Sequence, residues 1–276
     1  MHAAPTVPIA SGVSMPLLGL GVFRAGDPST TIAAVERALD VGYRHIDTAA
    51  IYRNEESVGE GLRRWCDRTG NSPAEVFITT KLWNDDHGYD DALRAFDASR
   101  ERLGVDVDLY LLHWPISDKR LDSWRALERL LDEGRVRAIG VSNFTQAHLD
   151  ELLAVARHRP AVNQIELHPL LPQSELVAAC RTLGIQTVAY SPLTKGRHLD
   201  EPALVQVAER HGRSPAQVLI RWGLQQGHVV LPKSSHPGRI AENAAVFDFT
   251  LDEADLASLS TLARGVRTAW DPTGVR

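Results

Sequence analysis

Short apolar runs alternate with amphipathic stretches along almost the whole of this chain. The runs near 17–22, 44–48, 76–81, 107–113, 136–141, 161–167, 186–190 and 228–232 are close to continuously apolar. Continuity of that kind marks strands covered on both faces. Between them, apolar residues recur at helical spacing over 29–41, 54–68, 88–103, 121–133, 145–157, 173–183, 201–211 and 236–246. Ser29, Asn54, Thr145 and Ser214 stand where N-caps belong, and Gly42, Gly70, Gly104, Gly134 and Gly184 stand where helices must stop. Eight such repeats predict an α/β fold, a (β/α)8 TIM barrel. Two helical patterns, 214–226 and 251–263, fall outside the repeat. The second opens on Thr250, with Glu253 at capping-box spacing. Residues 5–16 predict a hairpin turning at Ser11-Gly12, suited to plug the barrel's N-terminal end. No linker or low-complexity stretch interrupts the pattern, so one domain over 1–276 is expected, with a tail from about 264.

An open doubly wound sheet shares this alternation. It would ordinarily carry a glycine-rich fingerprint after its first strand. Here Gly19-Leu20-Gly21-Val22-Phe23-Arg24 lacks the third glycine and leads into a loop. The barrel is therefore the preferred architecture.

In a closed parallel barrel the strand C-termini converge on one rim, where the chemistry sits. Three consecutive strand-like runs end on Asp47, Lys81 and His113, and Tyr52 follows the first by five residues. A carboxylate, an amine, an imidazole and a phenol together suit proton transfer to a polarised carbonyl. The phenol is the natural acid, but with a pKa near 10 it is a sluggish one. A neighbouring ammonium at Lys81 would lower that value, and Asp47 would keep the lysine charged. His113 would donate to the carbonyl oxygen. Singly, each residue has an ordinary reading: Asp47 a helix cap, Tyr52 a packed loop aromatic, Lys81 a solvated strand end, His113 a core histidine. Their convergence favours the functional reading.

Such a reaction needs a hydride source. After the eighth run come Lys233, Ser234, Ser235 and Arg239, beside a helix start. Loops after strands seven and eight commonly bind phosphate in barrels. Two cations there suit the 2′-phosphate of NADP(H) better than NAD(H), although a solvated basic loop has the same composition. Ser142, Asn143 and Gln164 offer amide and hydroxyl groups for a carboxamide, or else local caps. Tyr190 offers a flat face for a nicotinamide ring.

Charge and cysteine content narrow the setting. The formal net charge is -5, and no basic cluster points to nucleic acid. The start, Met1-His2-Ala3-Ala4-Pro5, lacks the basic and apolar regions of a signal peptide. No apolar run is long enough to span a membrane. The two cysteines, Cys66 and Cys180, fall in predicted helices and imply a reducing compartment. A cytoplasmic monomer without metal is expected, acting on a small carbonyl compound.

These residues resemble a known family. Gly42-Tyr43-Arg44-His45-Ile46-Asp47-Thr48-Ala49, followed by Tyr52, Asn54, Glu55 and Val58-Gly59, is similar to the first signature of the aldo-keto reductases. Val141-Ser142-Asn143-Phe144 and Asn163-Gln164-Ile165-Glu166-Leu167-His168-Pro169 resemble its middle motifs, and Leu231-Pro232-Lys233-Ser234 with Arg239, Glu242 and Asn243 its C-terminal signature. The likeness runs from about Pro8 to Phe249. It implies an NADPH-dependent barrel reductase that holds its cofactor without a Rossmann fold. Asp47, Tyr52, Lys81 and His113 match the catalytic tetrad, with Tyr52 as general acid. Ser142, Asn143 and Gln164 match the carboxamide contacts, and Tyr190 the nicotinamide stack. Ser191, Pro192 and Leu193 match the pyrophosphate loop. Lys233, Ser234 and Arg239 match the 2′-phosphate site, Ser235 beside them is expected among the cofactor-binding residues, and Glu242 and Asn243 match the adenine contacts. Short loops after His113 and Pro192 resemble the prokaryotic branch that includes 2,5-diketo-gluconic acid reductases. Val22, Phe23, Trp83 and Trp114, with Trp270 in the tail, are expected around the cofactor and substrate. Small aldehydes, ketones, α-dicarbonyls or keto-acids would suit such walls. Two other readings compete. One is an NADPH-sensing regulatory subunit, which would turn over little. The other is an aldolase using Lys81 as a Schiff-base amine, which Asp47 opposes.

Overall fold

The structure is a computed structural model describing residues 5–116 and 118–275; Met1 to Ala4, Ser117 and Arg276 lie outside them. Eight parallel strands form one sheet: β3 (Leu20–Gly21), β4 (His45–Asp47), β5 (Phe77–Leu82), β6 (Val107–Leu112), β7 (Val136–Ser142), β8 (Val162–Glu166), β9 (Gln186–Tyr190) and β10 (Val229–Leu231). They neighbour one another in sequence order. The two ends then meet. Leu18 pairs with Val230, Gly19 N–H donates to the Val230 carbonyl at 3.0 Å, and Gly21 N–H to Pro232 at 3.1 Å. This seam closes the barrel.

Side-chain alternation sorts each strand into an inner and an outer face. Leu109, Leu111, Ala138, Val162, Val188, Val229 and Leu231 make an apolar filling. The hairpin β1 (Thr6–Ala10) and β2 (Val13–Pro16) adds Val13 and Met15 to that same cluster, so it plugs the barrel as expected. Above the filling, His45 and Thr79 are joined at 3.0 Å. Two residues further along the same two strands stand Asp47 and Lys81. The interior thus runs from apolar to polar toward one rim, and the polar end is the chemical end.

Outside lie α1 (Pro28–Asp40), α2 (Glu55–Thr69), α3 (Tyr89–Leu103), α4 (Arg120–Asp132), α5 (Gln146–Leu153), α6 (Ser174–Thr182), α7 (Pro202–His211), α8 (Pro215–Gln225), α9 (Pro237–Ala244) and α10 (Glu253–Ser260). The five stop glycines all take positive φ. Gly59 serves a different need: a Cβ there would lie 2.0 Å from the Leu103 carbonyl oxygen, so glycine lets α2 approach the end of α3.

Several local expectations are corrected. Asp27, not Ser29, caps α1 by accepting from Thr30 N–H at 2.8 Å; Ser29 merely donates to the same carboxylate. Asn54 precedes α2 but caps nothing, because its side chain is tied to Thr48 and Val22. The capping box of α10 is Asp252 with Asp255, while Thr250 accepts from Arg221. The helix expected over 145–157 stops at Leu153. Of the two helices before β10, α8 packs against that strand, and α7 packs on α8 and α10. The outlying helix is therefore α7 and not 214–226. Both are amphipathic, so periodicity alone does not separate them.

Candidate active site

Lys81 is fully buried at the end of β5. Its Nζ donates to Asp47 Oδ1 at 2.6 Å and to the Thr48 carbonyl at 2.8 Å. Gln164 Nε2 donates to the other carboxylate oxygen of Asp47 at 2.8 Å. Burial pushes the lysine down, and the Asp47 charge opposes it. Tyr52 ends a single turn, Ala50–Tyr52, and its ring lies 5.1 Å from Lys81 Nζ. Two neighbours fix that turn. Asn54 donates to the Val22 carbonyl at 2.9 Å and accepts from Thr48 at 2.8 Å. Glu55 accepts from Thr80 at 2.5 Å and pairs with Arg102.

The sequence leads one to expect a lowered phenol pKa, but Lys81 does not by itself bring the phenol below its ordinary value. Burial, then the charge on Asp47, raise Tyr52 well above its ordinary value. The ammonium is committed to Asp47 and Thr48 and lies 5.1 Å from the centre of the Tyr52 ring. The phenol consequently keeps its proton, which is the form an acid needs. His113 stands against Tyr52, ring centroids 5.7 Å apart, and against Trp83 at 5.3 Å. Burial, then Lys81 and His87, hold it well below the usual imidazole range, so it is neutral. Its Nδ1 has no hydrogen-bond partner among the described residues.

A hydrogen-bonded run continues from Asp47 across the rim. Ser142 Oγ donates to the Gln164 carbonyl at 2.9 Å, Asn143 Nδ2 to Ser142 Oγ at 3.1 Å and to the His113 carbonyl at 3.0 Å, and Tyr190 OH to Asn143 Oδ1 at 2.7 Å. Asn143 reaches both partners from a left-handed backbone, φ 64°. Ser191, Thr194 and Lys195 also take positive φ in the loop after β9. Beyond the seam, Lys233 and the Arg239 guanidinium form no ion pair among the described residues. Most other arginines do pair. His236 caps α9 beside them, accepting from Gly238 and Arg239 N–H. Glu242 accepts from Ser214, and Asn243 is buried.

Asp47, Tyr52, Lys81 and His113 thus meet at one rim, with a polar run beside them and two cations past the seam. The Aldo/keto reductase family profile matches residues 17–264. The chain belongs to that family. It is 49% identical over 268 residues to a glyoxal reductase of Bacillus subtilis, covering 97% of this chain and 96% of the relative. It is 49% identical over 288 residues to a morphine 6-dehydrogenase of Pseudomonas putida, covering 99% and 96%. A crystal structure of a Bombyx mori aldo-keto reductase in complex with NADP superposes with a TM-score of 0.92 at 35% identity, covering 98% and 96%.

Aromatic side chains ring the mouth of this aldo-keto reductase. Phe23 stands 4.9 Å from Tyr52, and Trp114 stands 6.0 Å from Trp270. Val22, expected at the mouth, is instead buried in the core with its carbonyl taken by Asn54. The sequence reading passed over the Thr48 carbonyl as a partner of Lys81 and Glu166 as anything beyond a motif letter. A second buried polar residue two positions past Gln164, on the same strand face, was the available signal.

Proposed function

We propose that the protein reduces aldehydes, ketones and α-dicarbonyls to alcohols, with NADPH as cofactor and Tyr52 as general acid. The observation that carries this is the Tyr52 phenol held beside the His113 imidazole, over the buried Lys81–Asp47 pair. When bound, NADPH supplies a hydride. Tyr52 releases its phenolic proton to the carbonyl oxygen, His113 orients that oxygen by a hydrogen bond, and the Lys81 charge offsets the phenolate left behind. Asp47 holds the lysine in place. An aldolase role for Lys81 is opposed by that same pair, which keeps the amine protonated.

The residues present fit the cofactor. Lys233 and Arg239, without an ion pair among the described residues, suit a 2′-phosphate together with Ser234 and Ser235. Asn143, Ser142 and Gln164 suit a carboxamide, and Tyr190 suits the stacked ring. Ser191, Pro192 and Leu193 begin a loop strained at several non-glycine positions, a cost that ligand binding commonly explains. Asn243 and the carboxylate of Glu242 would suit an adenine ring. The likeness to a glyoxal reductase supports α-dicarbonyls among the substrates.

NADPH consumption with methylglyoxal, phenylglyoxal and benzaldehyde tests the reading. Turnover is expected, and Tyr52→Phe should lower it by at least about three orders of magnitude while NADPH still binds. Near-normal turnover in that variant would remove Tyr52 from the role of acid. Absence of turnover in the wild type, despite tight NADPH binding, would sink the reductase reading.

A further inference from the structure

The carboxylate of Glu166 takes no part in the proton transfer or the cofactor contacts described above. It projects from the same face of β8 as Gln164, one step nearer the open rim. A carboxylate there should be wet, yet Glu166 is only 1% exposed. The chain's own tail covers it. Oε1 accepts from Thr268 N–H at 2.7 Å, Thr268 Oγ1 at 2.5 Å and His168 Nε2 at 3.1 Å, and Oε2 accepts from Ala269 N–H at 3.1 Å. Burial alone would raise this carboxyl, but the hydrogen bonds outweigh it and hold the pKa at about 2. The neighbouring backbone is tied down as well. Gln173 holds the Glu166 carbonyl at 2.7 Å, and Lys195 donates to the Thr268 carbonyl. The next residue along is Trp270. It is 67% exposed, and its one ring partner among the described residues is Trp114 at the mouth.

We propose that Glu166 is a positioning residue that clamps the tail across the barrel mouth. It sets Trp270 beside Trp114 and so makes the site prefer aromatic carbonyl substrates to small aliphatic ones. This deepens the reductase reading and rests on it. The clamp needs an acceptor at both carboxylate oxygens. A glutamine would keep the size but turn an NH2 toward a tail N–H, donor against donor. The tail would then leave, the residual group would be solvated, and the indole wall would go with it. Methylglyoxal is too small to need that wall.

The test uses Glu166→Gln from the barrel side and Thr268→Val from the tail side, which removes the hydroxyl donor while the buried carboxylate and the Arg267–Thr268 bond stay as they are. The first readout is tryptic cleavage after Arg267, which requires no activity. Both variants should be cut at least about tenfold faster than wild type, since a lost charge-assisted hydrogen bond is worth about that much in local opening. The second is KM, which should rise about tenfold for benzaldehyde, the upper end of an aromatic contact. For methylglyoxal both KM and kcat should stay within about twofold. Trp270→Ala should reproduce the benzaldehyde effect, and adding Glu166→Gln to it should change KM no further. Unchanged cleavage overturns the clamp, in either variant if the other fails to fold. KM values that rise together, or not at all, overturn the selectivity. A wild type that reduces neither carbonyl overturns the reductase reading and the selectivity with it, while the cleavage ratio still decides the clamp.

Discussion

Replacing Asp47 with asparagine isolates the electrostatic core of the site. The amide keeps the shape of the carboxylate and an oxygen for one donor, so packing changes little. What is lost is the charge facing Lys81 Nζ at 2.6 Å, in a place where the lysine has no exposure. Two outcomes are open to the lysine. It can stay charged against the Thr48 carbonyl alone, which costs about 3–5 kcal/mol as a broken buried pair. Or it can lose its proton, and a lysine whose ordinary value is 10.5 costs about 5 kcal/mol to neutralise at pH 7. Either way the folded state should lose about 3–5 kcal/mol, measurable as a lower urea midpoint at unchanged slope. The double variant Asp47→Asn, Lys81→Met removes the orphaned charge. It should recover most of that stability yet remain inactive, because nothing then offsets a phenolate at Tyr52. An Asp47→Asn protein within about 0.5 kcal/mol of wild type would refute the reasoning. So would a double variant no more stable than the single one, since the cost would then lie elsewhere than in the charge.

Other expectations concern the periphery and the frame. Lys233→Ala and Arg239→Ala should each weaken NADPH binding about tenfold or more and leave NADH within about twofold; equal losses for both cofactors would remove the 2′-phosphate argument. Burial pushes His45 down to about 3 and His87 and His228 down to about 4, below the ordinary 6.5, with Lys81, Lys119 and Arg181 adding to the effect. Each is neutral when folded and takes a proton on unfolding, so their stability is present above pH 6.5 and lost as pH falls toward 4. Near pH 5 the three together should give a slope of up to about 4 kcal/mol per pH unit, and urea unfolding free energies that match at pH 7 and pH 5 would contradict this. Gly59→Ala forces a methyl against the backbone oxygen of Leu103, which cannot yield as a side chain would. A loss of about 1–3 kcal/mol should lower the melting midpoint by about 5 °C, and an unchanged midpoint would show that α2 can shift freely.

The barrel was legible because its strands are apolar on both faces and several end abruptly on polar groups. That pattern has few solutions, and it alone sets Asp47, Lys81 and His113 on one rim. The caps were less legible, because Asp27 and Ser29, or Thr250 and Asp252, offer equally good acceptor oxygens for the N–H groups of a helix start. Backbone angles choose between them. Long-range partners were hidden for a different reason. Glu166 and Thr268 are 102 positions apart, and no local spacing announces that one covers the other. The net upward shift of the Tyr52 phenol is not legible in the sequence, because proximity to an ammonium is visible in a motif, whereas depth is a property of the fold.

The seam between Leu18 and Val230 also has a meaning in time. The paired residues are 212 positions apart, whereas Thr79 and Leu109 on adjacent inner strands are 30 apart. Loop-closure entropy grows only logarithmically, so the wider span costs about 1.7 kcal/mol more, a modest sum in equilibrium. Its larger effect is on sequence of events. The Val22 carbonyl that anchors the Tyr52 turn lies just past the seam on one side, and Lys233 just past it on the other. A ribosome making this chain delivers the carboxylate, the phenol, the amine and the imidazole within its first half. The strand that shuts the ring emerges only after residue 228. Until then the early groups have no finished wall to stand in, and a growing chain carries its reactive lysine and tyrosine in an unassembled form.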